Sequence, residues 1–122
     1  MVIYSYYTCI DQSVLENHHI AASFKILQKP NCNFLSEMTR EDYKRCRNLM
    51  IKCVLGTDMS KHMVELGKFK AKIQNPEFNP STVEDKEDTI VMMFHLADIS
   101  NSTKPWDICV NWTERLFIEF FH

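Results

Sequence analysis

Residues 94–106 read FHLADISNSTKPW. One carboxylate, Asp98, stands in an otherwise apolar helical run, followed by a polar turn and Pro105. Helical spacing puts Asp98 on the side of Phe94, His95 and Asn101. An ionised acid on a partly apolar face is costly unless it is paired, coordinated or exposed. Two readings are open. Asp98 is an ordinary helix-end acid, facing solvent or capping the Ser100–Thr103 turn. Alternatively it is a ligand for a hard divalent cation, which prefers carboxylate oxygen and neutral imidazole.

The flanking sequence is helical in both directions. Ser100, Asn101 and Ser102 favour caps and turns. Pro105 suits a helix first turn, and the last helix carries Trp106, Cys109, Val110, Thr113, Leu116, Phe117 and Phe120. Upstream, Ile90, Met93, Phe94 and Ala97 belong to a helix for which Ser81 and Glu84 form a capping box. Residues 73–88 hold Pro76, Pro80 and five acidic residues, and they read as the main surface loop.

Further back, Thr39 with Asp42 opens a helix, and Tyr43, Cys46, Leu49, Met50, Cys53 and Val54 recur on its inward side. The pattern bends at Gly56 and Thr57 and restarts with Met59, His62, Met63, Leu66 and Phe69 inward. Residues 13–28 form the first helix, with a Ser13–Glu16 capping box, a stripe of Leu15, His19, Ala22 and Ile26, and Pro30 just beyond. No stretch alternates long enough for a strand. The fold class is all-α, a multi-helix array.

The 122 residues suit one modest domain, and 45% hydrophobic with 25% charged residues permits a packed core. A net charge of −2 argues against nucleic-acid binding by phosphate neutralisation. Cys9, Cys32, Cys46, Cys53 and Cys109 are odd in number and lack a CxxC pair, so they read as reduced, mostly buried thiols of a cytoplasmic-type compartment. Two glycines are too few for a phosphate-cradling loop. No apolar run approaches membrane-spanning length, which leaves an anchor elsewhere in a longer parent open. The apolar end, LFIEFFH, and the tyrosine-rich start, MVIYSYYTCI, lead us to expect a piece of a larger domain.

Other polar groups have bland readings. Glu16 can simply close its capping box. His18 and His19 diverge by about 100° on a helix, so one of them is more readily a core histidine than a ligand. Thr57 and Asp58 can cap the following helix.

Taken together and in this order, SVLENHH, TDMSKH, ADISNSTKPW and WTERLFIEFF resemble the catalytic domain of the class I 3′,5′-cyclic nucleotide phosphodiesterases, helical metal hydrolases of the HD type. The resemblance runs from about Asp11 to Phe121. It implies hydrolysis of cyclic AMP, cyclic GMP or both to 5′-nucleoside monophosphates in signal transduction. It also implies two divalent ions: zinc, held by two histidines and two aspartates, and magnesium or manganese, which shares one aspartate and is otherwise ligated by water. Such ions neutralise phosphodiester charge and make hydroxide available near neutral pH.

Residue by residue, Asp98 matches a metal ligand, and Glu16 and Thr57 match groups that hydrogen-bond water at the metals. Met59, Asn101 and Leu116 match residues of the substrate pocket. The general-acid histidine and the other metal ligands belong to blocks expected upstream of residue 1, and the base-gripping glutamine is expected past His122. Ser102 stands where the family usually has proline, and Cys9-Ile10 where it usually has tyrosine-asparagine. The chain therefore reads as 1–122 of a partial catalytic domain, inactive alone, whose substrate is a cyclic nucleotide. A homodimer of the parent fits the resemblance. The competing reading is a non-catalytic helical remnant or partner-binding fragment.

Overall fold

The computed structural model describes residues 12–121, so Cys9, Ile10, Asp11 and His122 lie outside the described residues. Five α-helices follow one another: α1 Val14–Leu27, α2 Arg40–Leu55, α3 His62–Gln74, α4 Val83–Asp98 and α5 Trp106–Phe121. Short 3-10 turns at Met59–Lys61 and Ser100–Thr103 lead into α3 and α5. No strand occurs among the described residues, so the all-α class holds.

The helix α2 starts as its sequence prescribes. The Thr39 side chain accepts from the Asp42 N–H, satisfying a donor that the first turn would otherwise leave unpaired. Its inward side is the expected one, with Cys53 buried and Tyr43, Cys46, Leu49, Met50 and Val54 half-buried. This helix is the spine of the fold, with α1 on one side and α4 on another. At the α2–α4 crossing Gly56 lies directly against the Val91 side chain. A Cβ placed on Gly56 would lie 2.7 Å from Val91 Cγ1, so the glycine is needed for proximity alone. The helix α3 packs on α4, while α5 meets the rest through the Ser100–Thr103 turn.

Polar ties reinforce these contacts. Lys52 of α2 binds Glu87 of α4 at 2.7 Å, and Arg47 lies 4.1 Å from the Phe24 ring centroid, joining α2 to α1. Lys72 of α3 bridges the turn to α4, pairing with Asp85 at 2.8 Å and with Asp88. Those carboxylates hold the Lys72 ammonium above the ordinary lysine range.

Several local expectations need correction. The Ser13–Glu16 capping box does not form: Ser13 is left-handed, at φ 51°, and its side chain caps nothing. In α1 the covered stripe is Ile20, Phe24 and Leu27, whereas Leu15, His19 and Ile26 are exposed. The cap of α4 is Thr82, accepting from Asp85 N, not Ser81 with Glu84. The loop is shorter than expected, because α3 continues to Gln74 and the acids from Glu84 onward lie in the first turns of α4. Met59 and Met63 point outward, while His62, Leu66 and Phe69 turn inward. Cys32 is exposed, Cys46 and Cys109 are half-buried, and Cys53 is buried, where burial pushes its thiol pKa up.

Candidate active site

Asp98 is the last residue of α4, and its exposed carboxylate has no hydrogen-bond or ion-pair partner among the described residues. It does not cap the turn that follows. Thr103 does that work, its hydroxyl donating to the Ser100 carbonyl at 2.7 Å. Three residues past Asp98, Asn101 is held tightly. Its Nδ2 donates to the Cys109 carbonyl and to Thr113 Oγ1, both at 3.3 Å. These bonds dock α5 against the end of α4. They also spend the amide's donors and leave Oδ1 buried without a partner. What Asn101 can still offer a ligand is therefore an acceptor.

A second group of candidates gathers where α1 begins and α2 ends. Glu16 is half-buried in the first turn of α1. Thr57, also half-buried, donates its hydroxyl to the Val54 carbonyl at 2.8 Å. With that proton used, its oxygen can only accept. Glu16 and Thr57 are thus both acceptors, which suits groups that hold water by its protons. Met59 follows on the exposed side of the same junction, 57% accessible. Leu116 is exposed on α5 and has no described neighbour element other than the Ser100–Thr103 turn.

Next to Thr57 in the chain stands a group that the sequence marked only as a helix cap. Asp58 is buried, and its Oδ2 accepts from Ser13 Oγ at 2.6 Å, across 45 residues of chain. Its Oδ1 accepts from Ser60 N at 2.9 Å and Ser60 Oγ at 2.6 Å. Lys61 Nζ lies 3.4 Å from Oδ2 and donates to Ser13 Oγ at 2.7 Å. The hydrogen bond from Ser13, then those from Ser60, hold the Asp58 carboxyl well below the usual carboxylate range. Sequence could have suggested the Asp58–Ser60 turn, since aspartate commonly binds backbone two residues on. It could not have supplied Ser13.

A second polar pair went unnoticed in the sequence. His62 Nδ1 lies 2.7 Å from Nε2 of His95, a residue only 3% exposed whose Nδ1 has no partner. His95 also lines a cavity of about 400 Å³ with Leu55, Phe69, Met92 and four lysines. Each of those lysines already pairs with an acid. None of the sequence-predicted site residues lines this cavity.

The model of the 3′5′-cyclic nucleotide phosphodiesterase family matches residues 2–122. The chain belongs to that family. A probable 3′,5′-cyclic phosphodiesterase of Caenorhabditis elegans is 39% identical over 111 residues, 91% of this chain and 16% of the relative. A probable 3′,5′-cyclic-AMP phosphodiesterase of the same organism is 39% identical over 117 residues, 91% of this chain and 17% of the relative. The crystal structure of the phosphodiesterase domain of the RhoPDE fusion protein, from the choanoflagellate Salpingoeca rosetta, superposes with a TM-score of 0.82 at 34% identity. That match covers 90% of this chain and 35% of the other. The chain thus spans about a sixth of the length of the curated relatives and about a third of the solved domain.

Phosphodiesterases of this kind depend in general on divalent metals, so the donor set was compared with that need. Among the described residues, no three His, Cys, Asp or Glu side chains are grouped so as to hold an ion. His62 and His95 are turned on each other rather than outward. The described residues do not make a metal cage. Asp98 is an exposed hard oxygen donor at the end of α4, with no partner among the described residues. No helix among them is long and apolar enough to cross a membrane.

Proposed function

We propose that this chain is part of a phosphodiesterase catalytic domain, within a longer protein, that hydrolyses 3′,5′-cyclic nucleotides to 5′-monophosphates. The observation that carries the reading is the family match over residues 2–122, within which Asp98 is the exposed acid that ends α4 in the family's ADIS block. An exposed carboxylate needs no protein partner, so the block in which Asp98 stands, and not its lack of a partner, marks it as a ligand; its oxygens are open to a cation. Zinc plus magnesium or manganese, the ions the resemblance implies, would take Asp98 as one ligand and need the rest from outside the described residues.

The other roles follow from what each side chain has left to give. Glu16 and Thr57 accept hydrogen bonds from water at the ion site. Asn101, its Nδ2 committed to α5, accepts from the nucleotide through Oδ1. Met59 and Leu116 offer apolar wall to the substrate from exposed positions. The protein is expected in the cytoplasm, and a homodimer of the whole protein is compatible with this reading.

The test is a complete phosphodiesterase domain in which residues 2–122 replace the matching segment of the choanoflagellate domain. Asp98→Ala should abolish turnover of cyclic AMP and cyclic GMP while leaving the helical circular dichroism intact. Near-normal turnover in that variant would refute the assignment. The isolated chain should show no measurable hydrolysis.

A further inference from the structure

Ser13 departs from its expected use in two ways at once. It stands before α1 with φ 51° and ψ 46°, a conformation that residues other than glycine and asparagine seldom adopt. It also makes no cap bond to its own helix. Its hydroxyl proton goes instead to Asp58 Oδ2, and its oxygen accepts from Lys61 Nζ. Asp58 is itself fixed from the other side by both the N–H and the hydroxyl of Ser60. The hydroxyl is therefore fully used, in a network anchored on the α2–α3 junction rather than on α1.

That junction and the start of α1 carry Thr57 and Glu16. Thr57 immediately precedes Asp58, and Glu16 lies one turn into the helix that Ser13 opens. Apart from this link, α1 packs on α2 alone among the described elements. The Ser13–Asp58 bond joins the residue three before Glu16 to the residue after Thr57, so it opposes sliding or rolling of α1 at the end that carries Glu16.

We infer that Ser13 and Asp58 form a positioning tether that sets Glu16 against Thr57 at the phosphodiesterase site. The inference rests on the roles of Glu16 and Thr57 given above. It adds two residues that touch neither substrate nor metal and act through their neighbours.

The experiment uses the same complete domain. Ser13→Gly removes the hydroxyl while suiting φ 51°, so a loss in this variant comes from the missing tether and not from new backbone strain. Ser13→Asn keeps a residue tolerant of the left-handed region and returns an N–H donor to Asp58. For Ser13→Gly, kcat and calorimetric zinc affinity should each fall about tenfold, as when groups around a metal site are loosened. KM should hold, and Ser13→Asn should restore both lost quantities. The tether is overturned if Ser13→Gly matches the parent while Glu16→Ala is impaired, or if Ser13→Asn is no better than Ser13→Gly. Parental kcat and zinc affinity in Glu16→Ala would overturn instead the reading of Glu16 on which the tether depends.

Discussion

His62 Nδ1 and His95 Nε2 lie 2.7 Å apart, which ties the first residue of α3 to the last turn of α4. One ring must donate and the other accept, because two facing N–H groups cannot bond. His95 is buried and its other nitrogen is already unpartnered. His62→Ala should therefore strand both ring nitrogens of His95 and lower unfolding stability by about 1–3 kcal/mol. Adding His95→Phe, which removes the stranded groups, should recover part of that loss. Urea unfolding of the two variants checks the order.

Gly56 offers a steric counterpart. Any side chain there points at Val91 Cγ1, 2.7 Å from the Cβ position, with the Lys52 carbonyl at 3.1 Å. Valine in a helix has one strongly preferred rotamer and cannot easily swing aside. Gly56→Ala gains helix propensity yet should destabilise by about 1–3 kcal/mol through overpacking. The added change Val91→Ala should relieve the clash at the cost of a smaller core. A stabilised Gly56→Ala variant would show that α2 and α4 separate freely.

The residues that were read correctly from sequence are those whose partners are near in the chain. Thr39 and Asp42 form a cap three residues long, and nothing distant competes for either. Ser13 and Glu16 have the same spacing, yet Asp58, 45 residues away, captures the serine. At the α4 cap the error was one residue, because Ser81 and Thr82 both carry hydroxyls and only the bond to Asp85 N distinguishes them. The buried side of α1 was misjudged for another reason. With α2 as its one packed neighbour, α1 leaves Leu15 and Ile26 uncovered, so apolar periodicity alone does not say which face is inward. Asp98 had two readings in sequence, a helix-end acid or a metal ligand, and its exposed place at the end of α4 is open to both, so the block it stands in and not its surroundings favours the ligand. The His62–His95 and Ser13–Asp58 pairs join distant segments, and no spacing rule announces them.

Acid should remove the stabilisation that Asp58 contributes. Its carboxyl is held below the usual range in the fold, so the folded state keeps the charged form longer than the unfolded chain, whose aspartates titrate near pH ~3.9. The stabilisation is fully present above that value and is lost as pH falls below it toward the folded-state pKa. Asp58→Asn should remove this part of the acid dependence. The variant should be less stable than the parent at pH 7, and the gap should narrow as pH drops below about 4. Unfolding midpoints measured from neutral pH downward test this, and a constant gap would refute it.

The outer face of α5 supports a last prediction. Phe117 and Phe121 stack with centroids 6.0 Å apart, and Phe117, Ile118, Phe120 and Phe121 are all exposed. The chain's accessible surface is 10168 Å², against about 6,800 Å² for a compact monomer of its mass. Contiguous apolar surface of this kind seeks cover. The isolated chain should self-associate as its concentration rises and should bind a hydrophobic dye. Phe120→Ser with Phe121→Ser should reduce light scattering and dye binding together. The unfolding midpoint should stay where it was, because neither ring packs against another described helix. Unchanged scattering would place the adhesive surface elsewhere, on the exposed side of α1 or at Met59 and Met63.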